Sequence, residues 1–390
     1  MLPEKVQESL TLALLGKVRE MRARGEDVVS FAAGEPDFDT PPFVIEEAHR
    51  SMKAGNTRYV GSQGQLNLRQ AIADDYKNRM DVSWAKPEHV LVTAGAKQGL
   101  FLLFDTLLEK GDEVLIPTPY WVSYPPMVKA CGGTSKYVTT QEKNDYFPSV
   151  EELDAARTSK TKALIFSSPG NPSGTMISAD LLKKTIDWCE KNHVLLIYDE
   201  LYERLILDAD KKHVCALAVI DEAKSEWVVA VNATSKSLAM TGWRLGYLVS
   251  HSENIKRLTA IQSQALTCVP GFIQDAAVFG LSRAGDFLAP KVQQYKVRRD
   301  NLIEGLKKIP SLKWIRPVGA FYLFLDVSEV IKKKSLGSDK EFAAKILEEK
   351  KVVVIPGGSM GFPNWVRLSF ATNDEEIKKG IQRLAEFIGP

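Results

Sequence analysis

One lysine in this chain keeps unusual company. In Ser235-Lys236-Ser237-Leu238-Ala239-Met240-Thr241-Gly242-Trp243-Arg244 it is flanked by small and apolar residues rather than by other charges, and an arginine follows eight positions later. A lysine held out of water has a depressed pKa and can attack a carbonyl to form a Schiff base. Arg244 can offer a phosphate a bidentate fork. Three further polar segments carry complementary chemistry. Thr93-Ala94-Gly95-Ala96-Lys97 opens a helical stretch. Its small residues let the backbone approach an anion, and the unpaired N–H groups of a helix start favour negative charge, although an ordinary strand-to-helix turn reads the same way. Ser167-Ser168-Pro169-Gly170-Asn171-Pro172 and Asp199-Glu200-Leu201-Tyr202 add an amide, a carboxylate and a phenol.

Each of the four segments sits at the end of a short apolar run. The runs His89–Thr93, Glu113–Ile116, Ala163–Ser167, Val194–Tyr198, Trp227–Val231 and Gly246–Ser250 read as strands. They alternate with helical stretches at Lys97–Leu108, Ala179–Asn192 and Glu253–Leu266. Such alternation predicts an α/β unit, a mostly parallel sheet with helices on both faces. Ligands of such sheets bind outside the carboxyl ends of the strands, so four distant segments are expected to meet in one cleft. The last hundred residues differ. A long helix over about 286–308 precedes strands at Ala320–Asp326, Val352–Ile355 and Val366–Phe370. Capping boxes, Ser338 with Glu341 and Thr372 with Glu375, start two more helices. The predicted division is an N-terminal arm at 1–40 that joins a smaller α+β domain at 283–390, and a large domain at 41–282 that carries the site.

Composition narrows the function further. The 390 residues contain 51 Lys plus Arg against 49 Asp plus Glu, a net charge of +2. That balance argues against a nucleic-acid surface, and Lys332-Lys333-Lys334 reads as a solvated helix end. Four isolated cysteines and five scattered histidines form no zinc or disulfide pattern. No apolar run is long enough to span a membrane. The apolar stretch from Ser9 to Gly16 lacks a basic start and reads as an arm or helix, not a signal peptide. A cytoplasmic protein without a resident metal is expected.

The segment around Lys236, with the Asn-Pro-x-Gly loop at Asn171 and the Asp-x-x-Tyr spacing at Asp199, resembles the class I and II aminotransferases. These are pyridoxal 5'-phosphate enzymes of fold type I, and the bacterial aspartate aminotransferases are the most similar subgroup. The likeness runs from Ala33-Gly34-Glu35-Pro36-Asp37-Phe38 to Trp365-Val366-Arg367-Leu368-Ser369-Phe370. The resemblance implies roles. Lys236 would hold the cofactor covalently and shuttle the α-proton. Asp199 would pair with the ring nitrogen; such a charge pair at ~4 Å is worth about 4 kcal/mol at an effective dielectric of about 20, near three pKa units. Tyr202 and Asn171 would hydrogen-bond the ring's phenolate oxygen, and Trp121 would stack on its face. The Ala96 and Lys97 N–H groups, Ser235 and Arg244 would hold the phosphate, joined by Tyr59 from a neighbouring subunit, which implies a homodimer with shared sites. Arg367 would clamp the substrate carboxylate in a pocket bordered by Gly34, Trp121 and Asn171. The implied reaction is ping-pong amino transfer, with aspartate and 2-oxoglutarate favoured.

Many relatives carry a serine three residues before the lysine. Here that position is Ala233, and Ser235, Thr234 or the backbone would have to compensate. The second cation that a dicarboxylic donor needs is open between Lys97, Arg58 and a partner-chain residue. Other enzymes of the fold, such as an aromatic aminotransferase, a carbon–sulfur β-lyase or a decarboxylating acyl transferase, share these features. Gly357-Gly358-Ser359-Met360-Gly361 matches a hydrolase nucleophile elbow, but no histidine follows it and its glycines read as a turn near the substrate pocket.

Overall fold

A computed structural model describes Val6 and residues 10–389. Thirteen strands occur among them: β1 (Val29–Ser30), β2 (Val90–Thr93), β3 (Glu113–Thr118), β4 (Thr134–Thr139), β5 (Thr161–Ser167), β6 (Leu195–Asp199), β7 (Val228–Ala233), β8 (Gly246–Val249), β9 (Lys313–Ile315), β10 (Tyr322–Asp326), β11 (Val352–Val353), β12 (Ile355–Pro356) and β13 (Trp365–Ser369). Seven of them form a sheet in the order β2-β8-β7-β6-β5-β3-β4. Every pairing in it is parallel except the two made by β8. The expected mostly parallel sheet is therefore present, with one reversed strand. Strands β7 and β8 are buried throughout and β5 is buried beyond Lys162, so they read as largely apolar runs, as strands covered on both faces do.

The register of this sheet assembles the site. Ser167 pairs with Asp199, Asp199 with Val231, Ala233 with Gly246 and Gly246 with Thr93. The ends of β5, β6, β7 and β2 thus lie along one edge with the start of β8 between the last two. That is why segments more than a hundred residues apart in sequence converge. The close fit there demands a glycine: a Cβ at Gly246 would stand 2.4 Å from the Ala96 nitrogen and 2.5 Å from the Gly95 carbonyl carbon.

A second group of strands follows. Strands β12-β13-β10-β9 form an antiparallel sheet, and β1 pairs in parallel with β11. The expected strand Val352–Ile355 is thus two strands serving two sheets, which a continuous apolar run cannot reveal. The β1 pairing ties residues 29–30 to this part of the chain. Ser9 lies outside the described residues, and Leu10–Ala23 forms a helix. The long helix runs Ala284–Leu306 and contains Pro290. Ser338 caps the helix Asp339–Lys350, accepting from the Glu341 N–H, but the Glu341 carboxylate accepts from the Gly337 N–H and leaves the box open; the last helix is capped by Asn373, accepting from the Glu376 N–H, instead of Thr372 with Glu375. Both Thr372 and Asn373 are acceptable caps, and the pattern alone does not choose between them. Gly357–Met360 is a 3₁₀ turn in which the Ser359 hydroxyl donates to the Pro356 carbonyl at 2.6 Å, so it is no nucleophile elbow. Three strands escaped the sequence reading, the two-residue β1 among them. Another is β4, a half-exposed edge strand whose Thr-Ser-Lys-Tyr-Val-Thr is mostly polar, and the third is the three-residue β9.

Replacing Gly246 by alanine is expected to push β8 away from the Gly95–Ala96 turn and cost about 1–3 kcal/mol in urea unfolding. Gly242→Ala is the control: open space surrounds its Cβ position, so a change within about 0.5 kcal/mol is expected. Equal effects of the two substitutions would contradict the close-approach argument.

Candidate active site

A cavity of about 450 Å³ opens at the edge where the strand ends meet. It is bordered by Lys236, Asp199, Tyr202, Asn171, Trp121, Ala96, Lys97, Ser235, Arg244, Gly34 and Arg367, so eleven residues picked out from sequence are brought together. Tyr59 is not among them. It is 87% exposed and stands apart from the cavity of its own chain.

Lys236 lies in a single helical turn, Thr234–Ser237, directly after β7. Its side chain is buried, and its amine donates to the Gly34 carbonyl oxygen. Burial is the main cause that brings its pKa down to about 8, opposed by the charge of Glu35 and reinforced by Arg367 and Arg244. Desolvation disfavours the ammonium, so the neutral, nucleophilic amine becomes the main form above about pH 8, well below where an exposed lysine deprotonates. Opposite effects act on Asp199 at the end of β6. Burial pushes its carboxyl up to about 6, while the Tyr124 hydroxyl and the Leu201 N–H donate to it at 2.7 and 3.1 Å and hold the anion.

Arg367 on β13 is 1% exposed. It donates to the Asn171 side-chain oxygen at 3.1 Å and to the Ala32 carbonyl at 3.2 Å, and its guanidinium lies over the Tyr322 ring at 4.3 Å. Its Nε has no hydrogen-bond partner. A planar anion would satisfy this buried guanidinium with two parallel bonds. The Tyr202 and Tyr322 hydroxyls are hydrogen-bonded to each other at 2.8 Å, and burial holds both phenols above their ordinary pKa.

At the other end of the cavity, Gly95 adopts a positive φ of 81° and caps the helix Ala96–Leu107. Arg244, itself in the left-handed region at φ 57°, rests its guanidinium where a Gly95 side chain would be and donates to the Thr241 carbonyl at 2.7 Å. The helix start and the guanidinium together make an anion-binding corner. Of the two hydroxyls considered beside Ala233, Ser235 borders the cavity, whereas Thr234 is fully buried and turned to the Leu245 carbonyl. The Lys97 amine lies over the Trp121 ring at 5.0 Å, its pKa lowered by burial and by Arg244. Trp121 in turn meets Tyr124 edge to face, with ring centres 5.4 Å apart.

Sequence reasoning missed Tyr124, Tyr322, Ser167, Thr241 and Glu35, all of which border the cavity. Tyr124 lies in the Pro119-Tyr120-Trp121-Val122-Ser123-Tyr124 run and is 75 positions from Asp199; Tyr322 is 120 from Tyr202. No spacing signal joins residues so far apart, though each sits in or beside a segment already read as a strand or a site loop.

The family described as Aminotransferase class I and II matches residues 26–384 of the chain. A probable aspartate/prephenate aminotransferase of Aquifex aeolicus is 39% identical over 381 residues, covering 97% of this chain and 95% of that protein. The aspartate aminotransferase of Bacillus subtilis is 38% identical, with 97% and 96% covered. Among solved structures, the aspartate aminotransferase of Thermus thermophilus with maleate superposes with a TM-score of 0.92 at 36% identity, covering 99% of each chain.

Tyr124→Phe removes the bond that favours the Asp199 anion. The Asp199 pKa, followed by carbon-13 NMR of labelled carboxylates, is then expected to rise above its starting value of about 6. The sign follows from the donor: a hydroxyl that stabilises the charged form lowers the pKa, and its loss raises it. An unchanged or lower value would contradict this placement.

Proposed function

This chain belongs to the class I and II aminotransferases, and on that premise we propose that it moves an amino group from aspartate to 2-oxoglutarate using pyridoxal 5'-phosphate held on Lys236. The observation that carries the reading is the meeting of a buried amine, a buried carboxylate and a buried guanidinium in one cavity.

The residues fit the cofactor. The Gly95–Ala96 turn, Ser235 and Arg244 would take its phosphate, the Lys236 amine its aldehyde, and Asp199 its ring nitrogen. Asn171 and Tyr202 would face its phenolate oxygen, and Trp121 its ring. When bound, pyridoxal phosphate supplies an electron-withdrawing ring and a carbonyl that carries the amino group between half-reactions. The chain supplies the rest. Arg367 binds the donor's α-carboxylate and fixes its orientation, with Gly34, Trp121 and Asn171 around it. The Lys236 amine, in the neutral form that its lowered pKa makes accessible, would be the base that takes the α-proton and would hand it on within the same half-reaction; in the second half-reaction the transfer would run in reverse and reprotonate the α-carbon. Asp199 in its anionic form holds a proton on its partner, and the Tyr124 and Leu201 donors keep that anion oriented. Tyr202, paired with Tyr322, borders the same pocket.

The aspartate preference rests on the names of the relatives and on Lys97, a cation in the same cavity that could meet a second carboxylate. Arg58 does not border the cavity. In this reading residues 41–282 carry the cofactor and 1–40 with 283–390 make a smaller unit against it, supported by the separate sheets. The enzyme is a cytoplasmic homodimer in which Tyr59 reaches the partner's phosphate site. Its exposure supports that role, and a fully active monomer in sedimentation at nanomolar concentration would refute it.

Borohydride reduction of the loaded enzyme followed by peptide mapping should find the pyridoxyl group on Lys236; another lysine would overturn the assignment. A donor panel then tests the substrate, with 2-oxoglutarate, oxaloacetate, pyruvate and prephenate as acceptors. Arg367→Lys should raise KM for every donor alike, because all share the α-carboxylate, whereas Lys97→Met should weaken dicarboxylic donors selectively. If aromatic donors exceed aspartate tenfold in kcat/KM, about 1.4 kcal/mol of transition-state preference, the aspartate assignment fails while amino transfer stands.

A further inference from the structure

Residues 32–40 form an irregular strap, bent at Glu35, Asp37 and Phe38, whose Gly34 and Glu35 border the cavity. Upstream, Phe31 is fixed by backbone bonds: its N–H donates to the Val353 carbonyl, and its carbonyl accepts from the Ser369 N–H at 2.8 Å. From there to Thr40 the strap makes no backbone-to-backbone hydrogen bond with the described residues. Two of its carbonyls nevertheless meet two of the cationic side chains of the site. Ala32 accepts from Arg367, and Gly34 accepts from the Lys236 amine. Side chains alone therefore hold the strap. Thr40 donates to the Ala239 carbonyl at 2.8 Å and accepts from the Trp243 ring nitrogen at 3.1 Å, and Glu35 accepts from the Thr241 hydroxyl at 2.9 Å.

The remaining anchor is Asp37, and it points away from the cavity to the helix Ala284–Leu306. Its two carboxylate oxygens accept separately, one from the Tyr295 hydroxyl at 3.0 Å and one from the Arg298 guanidinium at 2.7 Å. The Arg298 side chain is 5% exposed, and Asp374 is its other acidic neighbour, at 3.9 Å. The next strap residue, Phe38, packs on the same helix: its ring meets Phe287 edge to face at 5.5 Å and Tyr295 at 6.0 Å. A buried guanidinium depends on its close acid, because removing one partner of a buried pair strands the other's charge.

We propose that Asp37, clasped by Tyr295 and Arg298, is a positioning residue for amino transfer: it fixes the strap whose Ala32 and Gly34 carbonyls hold Arg367 and Lys236 at their working separation. The clasp acts through other groups and touches neither substrate nor cofactor. The proposal rests on Lys236 and Arg367 being the reacting pair of the proposed function. Catalysis is sensitive to such spacing, since a misplacement of about 1 Å at the reacting groups can cost about a hundredfold in rate.

The test separates positioning from mere stability with Asp37→Asn, Arg298→Gln and their combination. Asp37→Asn keeps the shape and strands the Arg298 charge. It should lower Tm and reduce kcat/KM by about ten- to a hundredfold. In the double variant no charge is stranded, so Tm should recover most of the loss while kcat/KM stays low. A second readout uses cofactor-free protein: acylation of Lys236 by acetic anhydride, mapped by mass spectrometry against an exposed lysine. Release of the Gly34 carbonyl should change the relative Lys236 rate in Asp37→Asn and in the double variant alike. The proposal is overturned if activity returns with Tm in the double variant, or if Lys236 reactivity is the same in all forms. Should pyridoxyl mapping find another lysine, the functional reading fails instead, and the acylation comparison still reports on the strap.

Discussion

Everything in this structure is arranged around an amine taken out of water. A lysine whose pKa falls from 10.5 to about 8 costs the folded chain about 3 kcal/mol at neutral pH. The sign follows from proton binding. Below about pH 8 the amine is charged in both states and the full penalty applies; it is relieved as pH rises from about 8 to 10.5, where the unfolded chain binds more protons than the folded one. Asp199, raised by burial to about 6, works in the opposite direction. Its penalty is absent below the ordinary carboxyl pKa, grows as pH rises through about 6, and also reaches about 3 kcal/mol. A soluble domain has only about 5–15 kcal/mol of net stability. Two such costs in one cavity are strain that the sheets around it must offset, and a ligand that satisfies both groups returns it as binding energy.

The central sheet meets this demand by register rather than by local sequence. Because β7 and β2 both flank β8, the turns after them meet across Gly246, and the amine and the anion corner share one edge. Asp199 arrives from the next strand over. The antiparallel sheet contributes Arg367 and Tyr322, so the guanidinium end of the cavity is built on a different set of strands from the amine. The strap of residues 32–40 joins the two, which makes the distance between them a property of tertiary contacts and not of either sheet alone.

Most of this was legible in the sequence because strand ends and polar loops are local signals. The runs ending at Thr93 and Ser167 matched the strand ends, the run ending at Tyr198 stopped one residue short of Asp199, and the helix Ala179–Asn192 matched to the residue. What could not be read depends on partners far away. Val352–Ile355 is one apolar run, and only the arrival of Val29–Ser30 on one side and Trp365–Ser369 on the other divides it. Tyr124 and Tyr322 are ordinary aromatic residues until the fold sets them against Asp199 and Tyr202. Strand β4 was hidden for the converse reason, since an edge strand facing solvent carries the polar residues of a loop. Tyr59 was picked out from resemblance, and its exposure fits a role that only a second copy of the chain can complete.

The most direct test is the pKa of Lys236 itself in cofactor-free protein, measured by nitrogen-15 NMR of labelled lysine side chains with Lys236→Ala to assign the signal. The desolvated pocket predicts a midpoint near 8. A midpoint near 10.5, that of an exposed lysine, would mean that water reaches the amine, and the account built on its burial would fail.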